Sequence, residues 1–194
     1  MNQVQNVTKS KLWTKNYNIM MVVNFILSIS LTMTMATLPL YAQHIGGSTS
    51  TAGLVIGVFS FSALIFRPVV GNLLDSRGRK IVLITGIIIF SLSQLSYIYA
   101  YTIGILLTLR IFHGIGFSAQ STSVGTIFSD ITPADRLGEG IGYSATGGII
   151  ASAIGPALGL YLVGHSSYNM LFAAAAFMGG IGFLGGLLVN YEQK

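Results

Sequence analysis

The sequence predicts an all-α membrane protein with six transmembrane helices, and three observations carry that expectation. Hydrophobic residues make up 52% of the 194 positions and charged residues only 8%, with a mean hydropathy of +0.73, which no soluble domain of this size requires. The apolar residues gather into six stretches, 17–41, 51–74, 81–100, 103–129, 140–163 and 168–189. A bilayer core about 30 Å thick takes about 20 residues of helix, so each stretch is long enough to cross it. None alternates with the two-residue period of a barrel strand, and in lipid every backbone N–H and C=O needs an internal partner, which leaves helices. The expected organisation is an N-terminal tail 1–16, a helical bundle 17–189 and a C-terminal tail 190–194.

From the N-terminus, helix one carries Asn24, Ser28 and Thr32 at intervals of four, a polar stripe that either lines a cavity or bonds a neighbouring helix. Its apolar stretch is too long for a signal peptide and lacks a small-residue cleavage pattern, so it is expected to be retained. Met20, Met21, Met33 and Met35 add flexible apolar bulk, suited to a core, to lipid or to a promiscuous pocket. Helix two contains Pro68, and helix three an isolated Gln94. Helix four holds Arg110, read as the one charge deep in the membrane. Such a residue costs from about 2.5 to over 10 kcal/mol, so it normally faces a water-filled cavity or a partner. His113, Phe117 and Gln120 continue its face at helical spacing, predicting a wet or polar surface. Gly114, Ser118, Ser121 and Gly125 oppose it as a small-residue packing stripe. Helix five has its own stripe, Gly148, Ser152, Gly155 and Gly159, and helix six has Gly179, Gly182 and Gly186, both read as close helix contacts.

The cations set an orientation. Lys9, Lys11 and Lys15 precede helix one, Arg77, Arg79 and Lys80 fill the second connection, Arg136 lies in the fourth and Lys194 ends the chain. The odd connections, 42–50, 101–102 and 164–167, carry no Lys, Arg, Asp or Glu, and only His44 and His165 as groups that change charge near neutral pH. The positive-inside rule therefore puts both termini in the cytoplasm of a cell-membrane protein. The net charge of +5 is topological, and no basic, aromatic-interleaved surface predicts nucleic acid as a partner.

Residues 71–80 read Gly-Asn-Leu-Leu-Asp-Ser-Arg-Gly-Arg-Lys. With Gly71, Asp75, Gly78, Arg79 and Lys80 in place, this turn resembles the Gly-x-x-x-Asp-x-x-Gly-Arg-Lys loop between the second and third helices of major facilitator superfamily transporters. The resemblance implies a cytoplasmic gate in which Asp75, Arg79 and Asp130 cluster. Leu106, Arg110, His113, Gly114 and Gly116 look like the family's fourth-helix motif, whose Arg is linked to proton coupling, with His113 where Gln is usual. Gly142, Gly155, Pro156 and Gly159 resemble the helix-five pattern of its drug/proton antiporters. Ala151 and Leu160 stand where that pattern prefers Gly. Arg67-Pro68-Val69-Val70-Gly71 also answers Gly155-Pro156-Ala157-Leu158-Gly159 at opposite depth, matching the family's 3+3 inverted repeat.

The resemblance implies a secondary transporter exporting a small organic molecule, with the lipid bilayer and that substrate as partners. No Asp or Glu lies in the middle of a span, so proton coupling within these helices would fall to His113, whose side chain changes charge near an unperturbed value of about 6.5. Six helices make half of the usual twelve, predicting a truncated half, completed by a second six-helix bundle or by a second copy. The alternative is a membrane scaffold or binding module, or the remnant of a disrupted transporter gene. An intramembrane serine hydrolase centred on Ser118 fails for want of a histidine base in helix six. Neither a phosphate-binding loop nor a metal-ligand cluster is found, so no cofactor or metal is expected and the protein is read as not an enzyme.

Overall fold

The computed structural model describes residues 10–190; the tails around them, with Lys9 and Lys194, lie outside the described residues. The helices are α1 Lys15–His44, α2 Thr49–Arg77, α3 Arg79–Ser96, α4 Ile103–Ile131, α5 Leu137–His165 and α6 Tyr168–Leu188. All six are long and apolar enough to cross a membrane, α3 with the help of one 3-10 turn, Tyr97–Tyr99. Thr14, Ser48, Thr102 and Ser167 stand before α1, α2, α4 and α6, and each hydroxyl accepts from a backbone N–H three residues on. They satisfy donors that a helix start leaves open. Between α2 and α3 the single residue Gly78 reverses the chain at φ +86°, a conformation that a side chain resists.

The inverted repeat is visible in the lengths and in the packing. α1 and α4 start 88 residues apart (15 to 103), α2 and α5 likewise (49 to 137), and α3 and α6 start 89 apart (79 to 168). Exchanging the first three helices for the last three preserves the neighbours: α1 lies along α5 as α4 lies along α2, α3 packs on α4 as α6 packs on α1, and α3 meets α6. Three helices are an odd number, so one triplet enters the bundle from the end where the other leaves, and the axis relating them lies in the membrane plane. Pro68 and Pro156 occupy the same position, the twentieth residue, of α2 and α5. Pro39 in α1 is a third intrahelical proline.

Glycines decide where helices touch. On α5 the buried positions beyond Gly140 in its first turn are Gly147, Ala151, Gly155 and Gly159, spaced by four. A Cβ on Gly155 would strike Thr32 Oγ1 and stand 3.0 Å from Met33 N, and one on Gly159 would come within 2.8 Å of Met33 O. The expected stripe is thus half right. Ser152 is exposed and Gly148 has open space, because a spacing of four follows the ridge that α1 fits, whereas Gly148 and Ser152 lie one residue off it. Gly179, Gly182 and Gly186 of α6 do pack, on Ser91, Leu27 and Ile84. On α4, Gly114 admits Phe59 and Ser62 of α2, and Gly116 admits Phe90 of α3. Ser118 is buried, but Ser121 is only half-buried and Gly125 is exposed, so the lower part of that stripe does not pack as expected.

Two apolar clusters fill the bundle, one around Tyr17, Leu27, Leu83 and Phe128 near the basic connections, the other around Met33, Tyr97, Leu106 and Phe172 towards the opposite end. Met20 and Met33 belong to this core.

Candidate functional site

Arg110, eighth residue of α4, is the largest fully buried side chain of the described residues. Its Nε donates to the carbonyl of Val55 at 2.8 Å, its Nη1 lies 3.2 Å from His113 Nδ1, and its Nη2 lies 3.1 Å from Met35 Sδ. The guanidinium also covers the Phe59 ring, 4.6 Å from the centroid, a cation–π contact strengthened by desolvation. No carboxylate pairs with it among the described residues.

His113 is held by two donors. Tyr97 Oη lies 2.8 Å from the same Nδ1 that faces Arg110. A nitrogen that accepts from a guanidinium carries no proton of its own, so the geometry assigns the neutral tautomer with hydrogen on Nε2. Nε2 is buried and has no hydrogen-bond partner among the described residues. Phe59, Phe90 and Tyr97 rings stand 5.1, 4.7 and 5.7 Å from the imidazole. Of the two expectations for the Arg110 and His113 face, wet or polar, it is polar and closed, because α1, α2 and α3 supply carbonyl, thioether, hydroxyl and aromatic partners. Phe117 is half-buried and Gln120 is 5% exposed.

A second polar node joins three helices. Ser30 Oγ donates to Gln94 Oε1 or to the Ala175 carbonyl, both at 2.9 Å, while Gln94 Nε2 reaches Ser30 O and Thr34 Oγ1. Asn24 and Thr32 bond the α5 carbonyls of Ser144 and Ala151 at 3.0 Å. The helix-one stripe acts as interhelical glue at those two positions, and Ser28 is half-buried beside them.

At the basic end, Arg79 Nε meets Asp130 Oδ2 at 3.0 Å, joining the start of α3 to the end of α4. Lys80 Nζ donates to the carbonyls of Leu187 and Val189 at 2.8 Å, capping α6. Asp75 is exposed and forms no ion pair among the described residues, so the expected three-way cluster is corrected to a pair. Asp75 stands in α2, one turn of helix before Gly78, whereas Arg79 opens α3. Gly71 and Gly142 likewise meet nothing within 4 Å of a Cβ, whereas Gly155, Pro156 and Gly159 lie on the α1–α5 seam or beside it.

Two residues escaped the sequence reading. Tyr97 closes the His113 site from the end of α3, and no spacing rule connects it to α4. Arg67 is a second cation within a span, ten residues before the end of α2; counting its depth would have found it.

The fold and its charges define a polytopic helical membrane protein built on an inverted repeat. The family model of the Major Facilitator Superfamily matches residues 20–193, and the chain belongs to that superfamily of transporters. It is 26% identical over 172 residues to the quinolone resistance protein NorA of Staphylococcus aureus, covering 88% of this chain and 44% of that protein. An MFS-type transporter of Methanocaldococcus jannaschii is 31% identical over 169 residues, covering 87% of this chain and 42% of its own. The chain thus spans less than half the length of the curated relatives it matches.

Proposed function

We propose that this chain forms the amino-terminal bundle of a plasma-membrane secondary transporter that exports a small organic molecule, with both termini in the cytoplasm and tails 1–16 and 190–194 flanking the bundle 17–189. The observation that carries the reading is the state of its gate motif. Arg79 is engaged with Asp130 inside the bundle, while Gly71 and Asp75 of the same motif face open space. A turn of this type held on one side and vacant on the other suits a surface that a second six-helix bundle, or a second copy, covers during the transport cycle. An exposed pair contributes only about 0–1 kcal/mol, so its use is as a latch between states rather than as fold stability. The likeness to a quinolone resistance protein supports export, and Arg110 with His113 is the site within this bundle at which proton coupling would act.

Efflux measured in inside-out vesicles is expected to be absent for this chain alone and to appear when a carboxy-terminal bundle is co-expressed. Robust transport by a proven monomer of residues 1–194 would sink the reading. In the complemented transporter, His113→Gln is expected to flatten the pH dependence of efflux while substrate still binds; an unaltered pH profile removes His113 from the coupling role.

A further inference from the structure

We propose that Arg67 and the hydroxyl-lined groove beside it bind the oxyanion of an amphipathic organic solute, a carboxylate being the simplest case. Arg67 lies about 6 Å from the midpoint of α2, on the side of the basic connections, at 1.5 Å per residue. Its side chain is exposed, and it has no hydrogen-bond or ion-pair partner among the described residues. A guanidinium at that depth is not stable against lipid tails and takes an anion or water as its neighbour.

What it faces is built for oxygen chemistry. Arg67 lines a groove of about 500 Å³ with Ser121, Thr122, Gly125, Thr126 and Ser129 of α4 (490 Å³). The hydroxyls of Ser121, Thr126 and Ser129 rest on carbonyls of their own helix, bonds that a rotation exchanges for donation to a ligand. Gly125 has nothing within 4 Å of a Cβ, so the groove is open at its centre. A planar guanidinium matches a carboxylate with two parallel N–H donors, and hydroxyls supply the remaining contacts.

The pseudo-symmetry makes the groove a departure and not a default. Arg67 and Gly71 correspond to Gly155 and Gly159 at the same 88-residue offset. Gly155 and Gly159 close tightly on Thr32, Met33 and Thr37 of α1. The equivalent α4 surface, around Ser121 and Gly125, instead stands off α2 and carries hydroxyls. One half of the repeat seals this crossing and the other keeps it open beside a cation.

The inference rests on the transport reading for the purpose of the site but not for binding, and its test reads binding alone. The chain in phosphatidylcholine nanodiscs is titrated with dansylglycine and with its uncharged methyl ester, followed by dansyl fluorescence. Saturable binding of the acid at least tenfold tighter than the ester is expected. Arg67→Gln should weaken the acid tenfold or more and leave the ester unchanged, Arg67→Lys should fall between, and Gly125→Leu, which fills the groove from α4, should weaken the acid comparably. Circular dichroism identical to wild type keeps these losses from being unfolding. Repeating the titration in phosphatidylglycerol at high salt, which screens the repulsion of the acid by the anionic surface, separates the sources: a severalfold rise in Kd assigns the oxyanion to a lipid phosphate, an unchanged Kd to the solute. Equal affinity of wild type and Arg67→Gln, equal binding of acid and ester, or no saturable binding by wild type overturns the proposal. Loss of export by the complemented Arg67→Gln transporter with dansylglycine binding intact also overturns it, pointing to a carboxylate of the second bundle as the partner of Arg67. Failure of export with this binding preserved in wild type would count against the transport reading only.

Discussion

Replacing Tyr97 by Phe is expected to have opposite effects on stability depending on whether His113 is present. In the native arrangement Tyr97 Oη and Arg110 Nη1 both donate to His113 Nδ1, at 2.8 and 3.2 Å. Tyr97→Phe removes the first donor and leaves the acceptor served by the second, so nothing is orphaned. Interhelical hydrogen bonds in membranes average about 0.6 kcal/mol with a maximum of about 1.7, and the cost should fall in that range. His113→Phe keeps an aromatic ring between Phe59 and Phe90 but deprives both donors of their acceptor. Each unsatisfied buried group costs about 1–3 kcal/mol, more for a charged one, giving about 3 kcal/mol or above. Adding Tyr97→Phe to that background deletes an orphaned hydroxyl and should recover about 1–3 kcal/mol. The double-mutant cycle, measured by reversible unfolding in mixed detergent micelles, should therefore show a sign change. Additivity within about 0.5 kcal/mol would refute the shared-acceptor geometry.

Gly155→Leu should destabilise the bundle by about 1–3 kcal/mol or more by forcing α5 from Thr32 and Met33, whereas Gly148→Leu, one step off the seam, should stay within about 0.5 kcal/mol; the same unfolding assay distinguishes them. Asp130→Asn should cost at most about 1 kcal/mol yet raise the reactivity of a cysteine placed at Arg136 or Ser76, because the Arg79 contact that ties α3 to α4 is lost. Asp75→Asn in the isolated chain should change neither stability nor labelling, and any change comparable to that of Asp130→Asn would mean that Asp75 has a partner within this bundle.

The spans were legible because apolar runs of transmembrane length separated by short polar connections admit little else. The repeat was legible from one pentapeptide and its equivalent. The packing register of α5 was not. That helix carries glycine on several faces, and only the shape of α1, with Thr32, Met33 and Thr37 projecting at the crossing, selects Gly147, Gly155 and Gly159 over Gly148. Within the candidate site, Arg110 and His113 could be placed on one face from their spacing, but that their face is closed depends on Tyr97 and Phe59, which reach it from other helices. The partner of Arg79 was correct and that of Asp75 was not, since a motif specifies residues without stating which side of the turn each one serves.

The grading of contacts along α2 connects these observations. Its first half is fastened to α4 three times: Arg110 binds the Val55 carbonyl, Ser62 Oγ donates to Ile111 O at 2.8 Å, and Phe59 and Ser62 sit against Gly114. Beyond Pro68 the fastening reduces to Val70 and Leu74 in a small cluster with Val82 and Ala119, while Arg67 stands over an open groove. Proline removes one backbone hydrogen bond and lowers the resistance of the helix to bending at that point. A displacement of the basic end of α2 is therefore taken up at Pro68, with the first half held by the buried arginine. Under this arrangement Arg110, by spending its donors on a carbonyl of α2 and a nitrogen of α4, fixes the first half of α2, from which Pro68 separates the segment that carries Gly71 and Asp75.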